Sequence, residues 1–265
     1  MVPDETAPAD QTATTEAPDG SDAPDGPEAP TARVPRAAVL KRLTNLYAEP
    51  RYLEVGVANG HTFDRVPATR KVAVDPTFRF DHEAMQAANP GTEYHEVTSD
   101  AYFAEIIDPA EQFDVIYLDG LHVGDQTLRD LQNALLHLQP QGVIVIDDTR
   151  PPSHLAAIPD LADFHTVRTW LGSTANPWMG DVFKVVWFIA SFMPGLSYAT
   201  IENNHGQTVV WRRTAPVDPT APAHPVLTMA QIAALTFDDL VLHEEVLQLA
   251  RYGDIRKALR RDLGI

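Results

Sequence analysis

Three aspartates follow two short apolar runs in the middle of the chain. Asp119 comes directly after residues 115–118, and Asp147 and Asp148 come directly after residues 143–146. Both runs are rich in β-branched side chains and have the length of buried strands. Because a helical pattern of leucines separates them, the two strands should run parallel, with their acidic ends at one edge of a sheet. Edges of this kind are where α/β proteins bind ligands.

The three carboxylates would repel one another if they met without a counter-charge, and each would raise the pKa of the next. A hard divalent cation removes this conflict, and Mg²⁺ prefers oxygen ligands such as carboxylates and water. The sequence therefore predicts a site for Mg²⁺ or another hard divalent cation. The alternative is that Asp147 and Asp148 cap the next helix or lie in a solvated loop.

The front half of the chain has the features of an adenosine site. In the segment EVGVANG (residues 54–60), Gly56 permits a tight turn after a strand, and Gly60 permits close approach of the backbone to a ligand. Asp75 ends the next strand roughly 20 residues later, where an acid accepts hydrogen bonds from ribose hydroxyls. The dipeptide Ser99-Asp100 ends a third strand, within reach of an adenine edge.

Strands and helices are predicted to alternate, which indicates a doubly wound α/β fold with a mostly parallel sheet. Strands are expected at residues 52–56, 71–74, 94–98, 115–118, 143–146, 196–202 and 208–213, the last two forming an antiparallel hairpin. Helices are expected from residue 35, over residues 81–88, 101–107, 162–171 and 182–193, and near the C-terminus. Leucines at positions 128, 131, 135, 136 and 138 predict one more helix, which Pro140 and Gly142 should end.

Composition limits the classes of partner. The chain has 265 residues, no cysteine and a formal net charge of −17, which argues against nucleic acid or anionic lipid and excludes thiolate chemistry. The most apolar stretch, residues 182–193, is too short for a membrane span, which needs roughly 20 residues. No leader sequence is visible, so the cytoplasm is the expected location.

Four segments are expected along the chain. Residues 1–32 are acidic, rich in Pro and Ala, and lack Lys and Arg, which predicts a disordered tail. Residues 33–214 should form the α/β domain, and residues 215–226 a Pro/Ala linker. Residues 227–265 should form a helical extension that serves as a lid or as the contact of a homodimer or larger homo-oligomer.

Two segments resemble a known family. YLEVGVANGHT (residues 52–62) resembles the first motif of class I S-adenosylmethionine (SAM)-dependent methyltransferases, with Ala58 where a glycine is usual, and VAVDP (residues 72–76) is similar to their second motif. The resemblance implies a Rossmann-like class I methyltransferase fold, with a mostly parallel seven-stranded sheet, an antiparallel C-terminal hairpin and helices on both faces. It also implies that SAM is bound by Glu54, Gly56, Ala58, Gly60, Thr62, Asp75, Ser99 and Asp100.

The stretch from Asp119 to Asp148 is similar to catechol-type and sugar O-methyltransferases, in particular those acting on deoxysugars of macrolide and aminocoumarin antibiotics. The resemblance implies that Asp119, Asp147 and Asp148 are Mg²⁺ ligands. The expected reaction transfers the methyl group of SAM to a hydroxyl of a sugar or glycosylated metabolite, with a methylmannoside as one candidate. His122 is the first choice of base because its pKa range suits the role, and Asp119 is the alternative.

The sequence is also compatible with two other functions. One is a metal-independent methyltransferase acting on a nitrogen or a small phenol, and the other is a non-catalytic adenosine-binding protein. The expected acceptor wall includes segments that carry His154, His165 and His205, although each of these histidines alone is more easily explained as structural. Trp170 and Trp178 are candidates for a face that stacks on a sugar. Trp187 is expected in the core.

Overall fold

The structure, a computed structural model, describes residues 33–174, 177–214 and 226–265. Its centre is a seven-stranded sheet with the strand order β3-β2-β1-β4-β5-β7-β6. The strands are β1 (Arg51–Val55), β2 (Arg70–Asp75), β3 (Thr92–Glu96), β4 (Phe113–Leu118), β5 (Leu138–Ile146), β6 (Leu196–Thr200) and β7 (Thr208–Arg212). The pairs among β1 to β5 are parallel, and β7 is antiparallel to both β5 and β6. The predicted mostly parallel sheet with a terminal antiparallel hairpin is confirmed.

Helices precede, connect and follow the strands. They are α1 (Arg36–Thr44), α2 (His61–Arg65), α3 (His82–Ala88), α4 (Ser99–Ala101), α5 (Gly124–Leu136), α6 (Leu161–Trp170), α7 (Phe183–Phe192), α8 (Met229–Ala234), α9 (Phe237–Leu242) and α10 (Tyr252–Leu263). A π-helical turn (Tyr102–Ile106) continues α4, and a 3₁₀ turn (Glu244–Leu247) follows α9. The predicted tail and residues 215–225 of the predicted linker lie outside the described residues.

Two apolar cores cover the two faces of the sheet. Successive strand residues point to opposite faces, so Ile116 and Ile144 lie in one core with α5 and α7, while Val115 and Val143 lie in the other with α1 and α10. Strands buried on both faces are apolar at nearly every position, which is why short apolar runs identified them.

The strand register aligns the carboxyl ends of β1, β4 and β5, so the loops that follow these strands are neighbours. Val55 at the end of β1 is opposite Leu118 at the end of β4, and Leu118 is opposite Ile146 at the end of β5. From β1, the strand order runs outward through β2 and β3 on one side and through β4 and β5 on the other. A crevice forms at such a reversal of strand order, beyond the carboxyl ends of the strands.

The predicted end of α5 at Pro140 and Gly142 is wrong. The helix ends at Leu136, and β5 begins at Leu138 and includes both Pro140 and Gly142. The register between β4 and β5 shifts in this part of the ladder, between Phe113 and Val115. A proline is tolerated where the ladder is irregular, so Pro140 does not exclude a strand here.

Residues 226–265 contribute to both cores. Ile232 and Leu240 pack into the core that contains α7, and Ile255 and Leu259 pack into the core that contains α1. A role as lid or oligomer contact stays a prediction. Within the described part of the chain, no helix combines the length and the apolar character needed to cross a membrane.

Candidate active site

The three predicted carboxylates meet at the crevice. The side chains of Asp147 and Asp148, directly after β5, are 0% and 1% exposed, and that of Asp119, directly after β4, is 15% exposed. The next helix, α6, begins only at Leu161 and is capped by the carboxylate of Asp160. The alternative that Asp147 and Asp148 cap that helix is therefore wrong, and the solvated loop does not fit their burial.

Arg36, the first residue of α1, is a cation among these acids. Its Nε lies 2.6 Å from Oδ2 of Asp147, and its terminal nitrogens lie 3.7 Å from Oδ2 of Asp119 and 3.4 Å from Oδ1 of Asp148. Burial alone would lower the pKa of Arg36, but the carboxylates, Asp147 foremost, raise it above the usual value. The guanidinium stays charged and offsets part of the negative charge.

His122 bridges two of the carboxylates. Its Nε2 lies 3.0 Å from Oδ2 of Asp148 and 3.2 Å from Oδ1 of Asp119, and its Nδ1 lies 2.9 Å from the carbonyl oxygen of Trp178. Burial opposes protonation, yet the hydrogen bonds to the two carboxylates outweigh it and raise the pKa of His122 to about 11. A ring protonated in this way donates from both nitrogens.

Three side chains offer ligand atoms that are close enough to share a cation. One atom each of Asp119, His122 and Asp148 lies within 4.8 Å of the others, and Asp147 is not in this set. The two carboxylate oxygens suit a hard cation, whereas the imidazole nitrogen can bind a metal only when it is unprotonated. Oδ2 of Asp147 accepts from the hydroxyl of Tyr117 at 2.6 Å, whereas its Oδ1 is buried and has no hydrogen-bond partner among the described residues. Burial, and then the charge of Asp148, raise the pKa of Asp147. A buried carboxylate oxygen that no hydrogen-bond donor contacts is expected where carboxylates bind a divalent cation, because the cation takes the place of the donor.

His205, in the turn between β6 and β7, lies on the far side of Asp148. Its Nε2 is 3.5 Å from Oδ1 of Asp148, and the guanidinium of Arg33 is 2.5 Å from its Nδ1. Because a guanidinium can only donate, Nδ1 accepts and the ring is neutral. Burial, followed by the charge of Arg36, lowers the pKa of His205 to about 4.

One cavity of about 830 Å³ contains both the predicted cofactor residues and part of the acid cluster. Seven of the eight predicted SAM-binding residues line it, and Asp119, His122 and Arg36 line it too. The seven are Glu54, Gly56, Ala58, Thr62, Asp75, Ser99 and Asp100.

Gly60 does not line this cavity. Its φ of 76° is left-handed, and a Cβ added there would lie 3.1 Å from the ring of Phe80. A glycine is therefore required at the start of α2 by backbone conformation and packing. The approach of Gly60 to a ligand stays a prediction.

The acids of the front half order the loop around the cavity. Asp75 accepts from the backbone N–H of Ala58 and of Thr77, each at 2.8 Å. Burial raises the pKa of Glu54, although the hydroxyl of Tyr52 donates to it at 2.5 Å. Asp75 therefore fixes the glycine-containing turn and lines the cavity that the turn encloses.

A polar group closes the end of the cavity at α4. The amide of Gln126 donates to Ser99, Asp100 and Asp130 at 3.2, 3.1 and 3.0 Å. Burial raises the pKa of Asp130. The predicted pair Ser99-Asp100 is thus joined to two residues of α5 that also line the cavity.

Sequence reasoning missed Arg36, Tyr117 and Asp130, and it assigned no contact to His205. Arg36 and His205 reach the acids from segments far away in sequence, and no local pattern marks them. Tyr117 and Asp130 carried a usable signal, because each lies within a predicted element at a position where a polar group interrupts an apolar face.

The remaining predicted aromatic and histidine residues lie in three different places: beside the acid cluster, in the core and at the surface. The ring of Trp178 lies 5.3 Å from that of His122, beside the acid cluster, while Trp187 is buried in the core as expected. Trp170 is 83% exposed, and His154 pairs with Asp238 at the surface. His165 is exposed on α6.

The comparison with protein families gives one match. The model of a family described as "Methyltransferase domain" matches residues 53–149, which include β1 to β5 and all three aspartates. No curated protein matches the chain by sequence. The chain is therefore similar to methyltransferase domains over residues 53–149.

Solved structures of methyltransferases are similar to the chain. An O-methyltransferase from Bacillus cereus in complex with SAH is 14% identical, covering 66% of this chain and 79% of that one, with a TM-score of 0.46. The O-methyltransferase TomG from Streptomyces achromogenes, in complex with SAM, is 16% identical over 67% and 79%, with a TM-score of 0.46. The N-methyltransferase NodS from Bradyrhizobium japonicum, in complex with SAH, is 17% identical over 66% and 83%, with a TM-score of 0.40.

Proposed function

We propose that this methyltransferase is a SAM-dependent, divalent-metal-dependent O-methyltransferase that acts on a hydroxyl of a sugar or glycosylated metabolite. One observation carries the proposal: Gly56 and Asp75 of the SAM-type motifs line the same cavity as Asp119 and His122 of the acid cluster. A methyl donor bound in this cavity lies next to the acids. The family match supports the methyl donor, and the chemistry of the acids supports the metal.

Asp119, Asp147 and Asp148 are the proposed metal ligands. Asp119 and Asp148 face each other across His122. The buried Oδ1 of Asp147, which has no hydrogen-bond partner among the described residues, is the proposed third oxygen. A divalent cation held there would lower the pKa of an acceptor hydroxyl and orient it toward the methyl group. Arg36 and Tyr117 hold Oδ2 of Asp147, so they keep this carboxylate in place.

His122 is the proposed base. Its Nδ1–H bond to the carbonyl of Trp178 fixes the ring, so that Nε2 faces the carboxylates and takes up the hydroxyl proton once it is neutral. Neutralising Asp119 and Asp148 removes the charges that hold the pKa of His122 near 11 and returns it toward the range of a base. Asp119 stays the alternative base.

The remaining cavity residues are assigned to SAM. Asp75 is placed to bind ribose, Ser99 and Asp100 to flank adenine, and Glu54 with the Gly56–Ala58 turn to hold the methionine side. Thr62 completes the lining at α2.

Methyl transfer from radiolabelled SAM tests the proposal, with a panel of sugars, aryl glycosides and phenols as acceptors. Transfer to at least one glycoside should stop in EDTA and return with Mg²⁺. Asp119→Ala should lower the Mg²⁺-dependent rate at least about tenfold, because even the supporting contacts of a metal site are typically worth that much. Asp254→Ala on α10, a side chain that is 61% exposed, is the matched control and should keep the rate. Undiminished transfer in EDTA would contradict the metal requirement.

A metal-independent methyltransferase is the second candidate, and one observation favours it. Arg36 and protonated His122 already offset much of the charge of the three acids. If they are the only counter-charges, transfer to nitrogen or phenol acceptors should proceed equally well with EDTA and with Mg²⁺. Failure of every acceptor, with SAM still bound, would instead support a non-catalytic adenosine-binding protein.

A further inference from the structure

A second cavity, of about 550 Å³, lies on the other side of His205. Its walls come from the loop after β5, the turn between β6 and β7, the segment around Met179, and α9 with the 3₁₀ turn that follows it. His205 lines this cavity while its Nε2 lies 3.5 Å from Asp148 of the acid cluster. A molecule in the second cavity is therefore one side chain away from the proposed metal ligands.

The cavity has an apolar side and a polar side. Phe237, Leu240 and Val241 of α9 form the apolar side together with Met179. Arg33, Arg150, Asn204, His205 and Glu244 form the polar side. Its volume is in the range of pockets that enclose small organic ligands, about 300–1,000 Å³. The lining suits a compound that has both an apolar group and polar groups.

The charge of Arg150 is already balanced. Its Nε and a terminal nitrogen lie 3.1 and 2.7 Å from the same carboxylate oxygen of Glu244, and it also donates to the carbonyl of Glu202 at 3.1 Å. These contacts fix the wall of the cavity. Arg150 and Glu244 together add no net charge to the site.

Arg33, unlike Arg150, has a neutral hydrogen-bond partner. The guanidinium donates to Nδ1 of His205, which is a neutral acceptor. No carboxylate of the described residues pairs with it. Within the described part of the chain, no second hydrogen-bond partner occupies its other N–H groups. A guanidinium binds carboxylate or phosphate oxygens with two parallel hydrogen bonds.

We propose that this cavity binds the acceptor and that Arg33 recognises an acidic group on it. The substrate class is then a hydroxylated acid with an apolar part, such as an aryl or acyl glycoside of a uronic acid. This inference rests on the proposed O-methyl transfer and adds the charge of the acceptor to it. Hydroxyls of such a molecule would face His205, which separates the cavity from Asp148, its acidic group would face Arg33, and its apolar part would face α9.

A matched pair of compounds tests the inference. para-Nitrophenyl β-glucuronide and para-nitrophenyl β-glucoside share the aryl group and the ring hydroxyls and differ only at C6, which is a carboxylate in the first and a neutral hydroxymethyl group in the second. Their binding is measured by calorimetry on the full-length protein saturated with SAH and Mg²⁺, which requires no turnover. The wild type should bind the glucuronide roughly tenfold more tightly, the effect of one hydrogen-bonded charge pair. Arg33→Met should remove this preference.

Lys257→Met, which removes one charge from an exposed position on α10 outside the cavity, is the control and should keep the preference. Circular dichroism of Arg33→Met checks that the variant is folded. Three results would overturn the inference: equal binding of the two glycosides by the wild type, binding of neither glycoside, or a preference for the glucuronide that survives in folded Arg33→Met. Metal-dependent methylation of neutral glycosides alone would leave the proposed function standing and refute the acidic acceptor.

Discussion

At the scale of single residues, Gly56 connects the cofactor turn to the acid cluster. Its φ is +89°, and a Cβ at this position would lie 1.9 Å from the carbonyl oxygen of Asp119. Gly56→Ala should therefore lower the free energy of unfolding by about 3 kcal/mol or more and weaken SAH binding, because the turn and the Asp119 loop must separate. Gly195→Ala has open space around it and should change stability by about 0.5 kcal/mol or less. Urea denaturation and SAH calorimetry measure both effects, and equal stability of the two variants would refute the account.

His122 gives a pH dependence of known sign. Its pKa is raised to about 11 in the folded, metal-free protein, against about 6.5 when unfolded, so the folded state binds an extra proton between these values. The stabilisation is complete below pH 6.5 and is lost as the pH rises toward 11. Between pH 7 and 9 in EDTA, the wild type should lose roughly 1.4 kcal/mol per pH unit more than His122→Asn. His165→Asn, at an exposed position, is the control. Parallel curves for wild type and His122→Asn would show that His122 is neutral.

Individual site residues were predictable where a local pattern marked them. Asp119, Asp147 and Asp148 follow recognisable strands, and parallel strands bring their carboxyl ends together. His122 was found because it shares a loop with Asp119. Arg36 and His205 were not assigned to the acids, because their contacts depend on how α1 and the β6–β7 turn pack, which no spacing in the sequence encodes.

At the scale of elements, α5 links the two acidic strand ends, and its two faces differ. Leu131 is fully buried, whereas Leu136, predicted on the same apolar face, is 72% exposed at the end of the helix. Leu131→Ala should cost about 3 kcal/mol of unfolding free energy through the cavity that it leaves, and Leu136→Ala about 0.5 kcal/mol or less. Thermal and chemical denaturation of the two variants measure the difference. Similar losses would mean that α5 is packed along its whole length.

The sequence predicted which segments form helices and strands better than it predicted where these elements end. Five apolar runs identified the parallel strands because both faces of the sheet are covered. The boundary between α5 and β5 was misplaced, since Pro140 and Gly142 are typical of a helix end and yet lie in the irregular start of a strand. Pairing with β4 decides that boundary, and pairing is not a local property.

At the scale of the whole molecule, the sheet joins the proposed methyl-donor site to an acid cluster, and residues 226–265 complete the wall of a neighbouring cavity. The sheet and its order follow from alternating elements and could be predicted. The proposed acceptor cavity could not be predicted, because it combines α9 with loops from the middle of the chain. A cytoplasmic location and a homo-oligomer remain proposals.

In the proposed site, a divalent cation and the methyl group of SAM lie side by side in one cavity. Paramagnetic Mn²⁺ broadens nuclear resonances steeply with proximity, so NMR of SAM labelled with ¹³C at the methyl group tests the claim directly. In the complex with the wild type, Mn²⁺ should broaden the methyl resonance more than the adenine resonances, EDTA should reverse this, and Asp119→Ala should abolish it. A methyl resonance that stays sharp at saturating Mn²⁺, with SAM bound, would contradict the account.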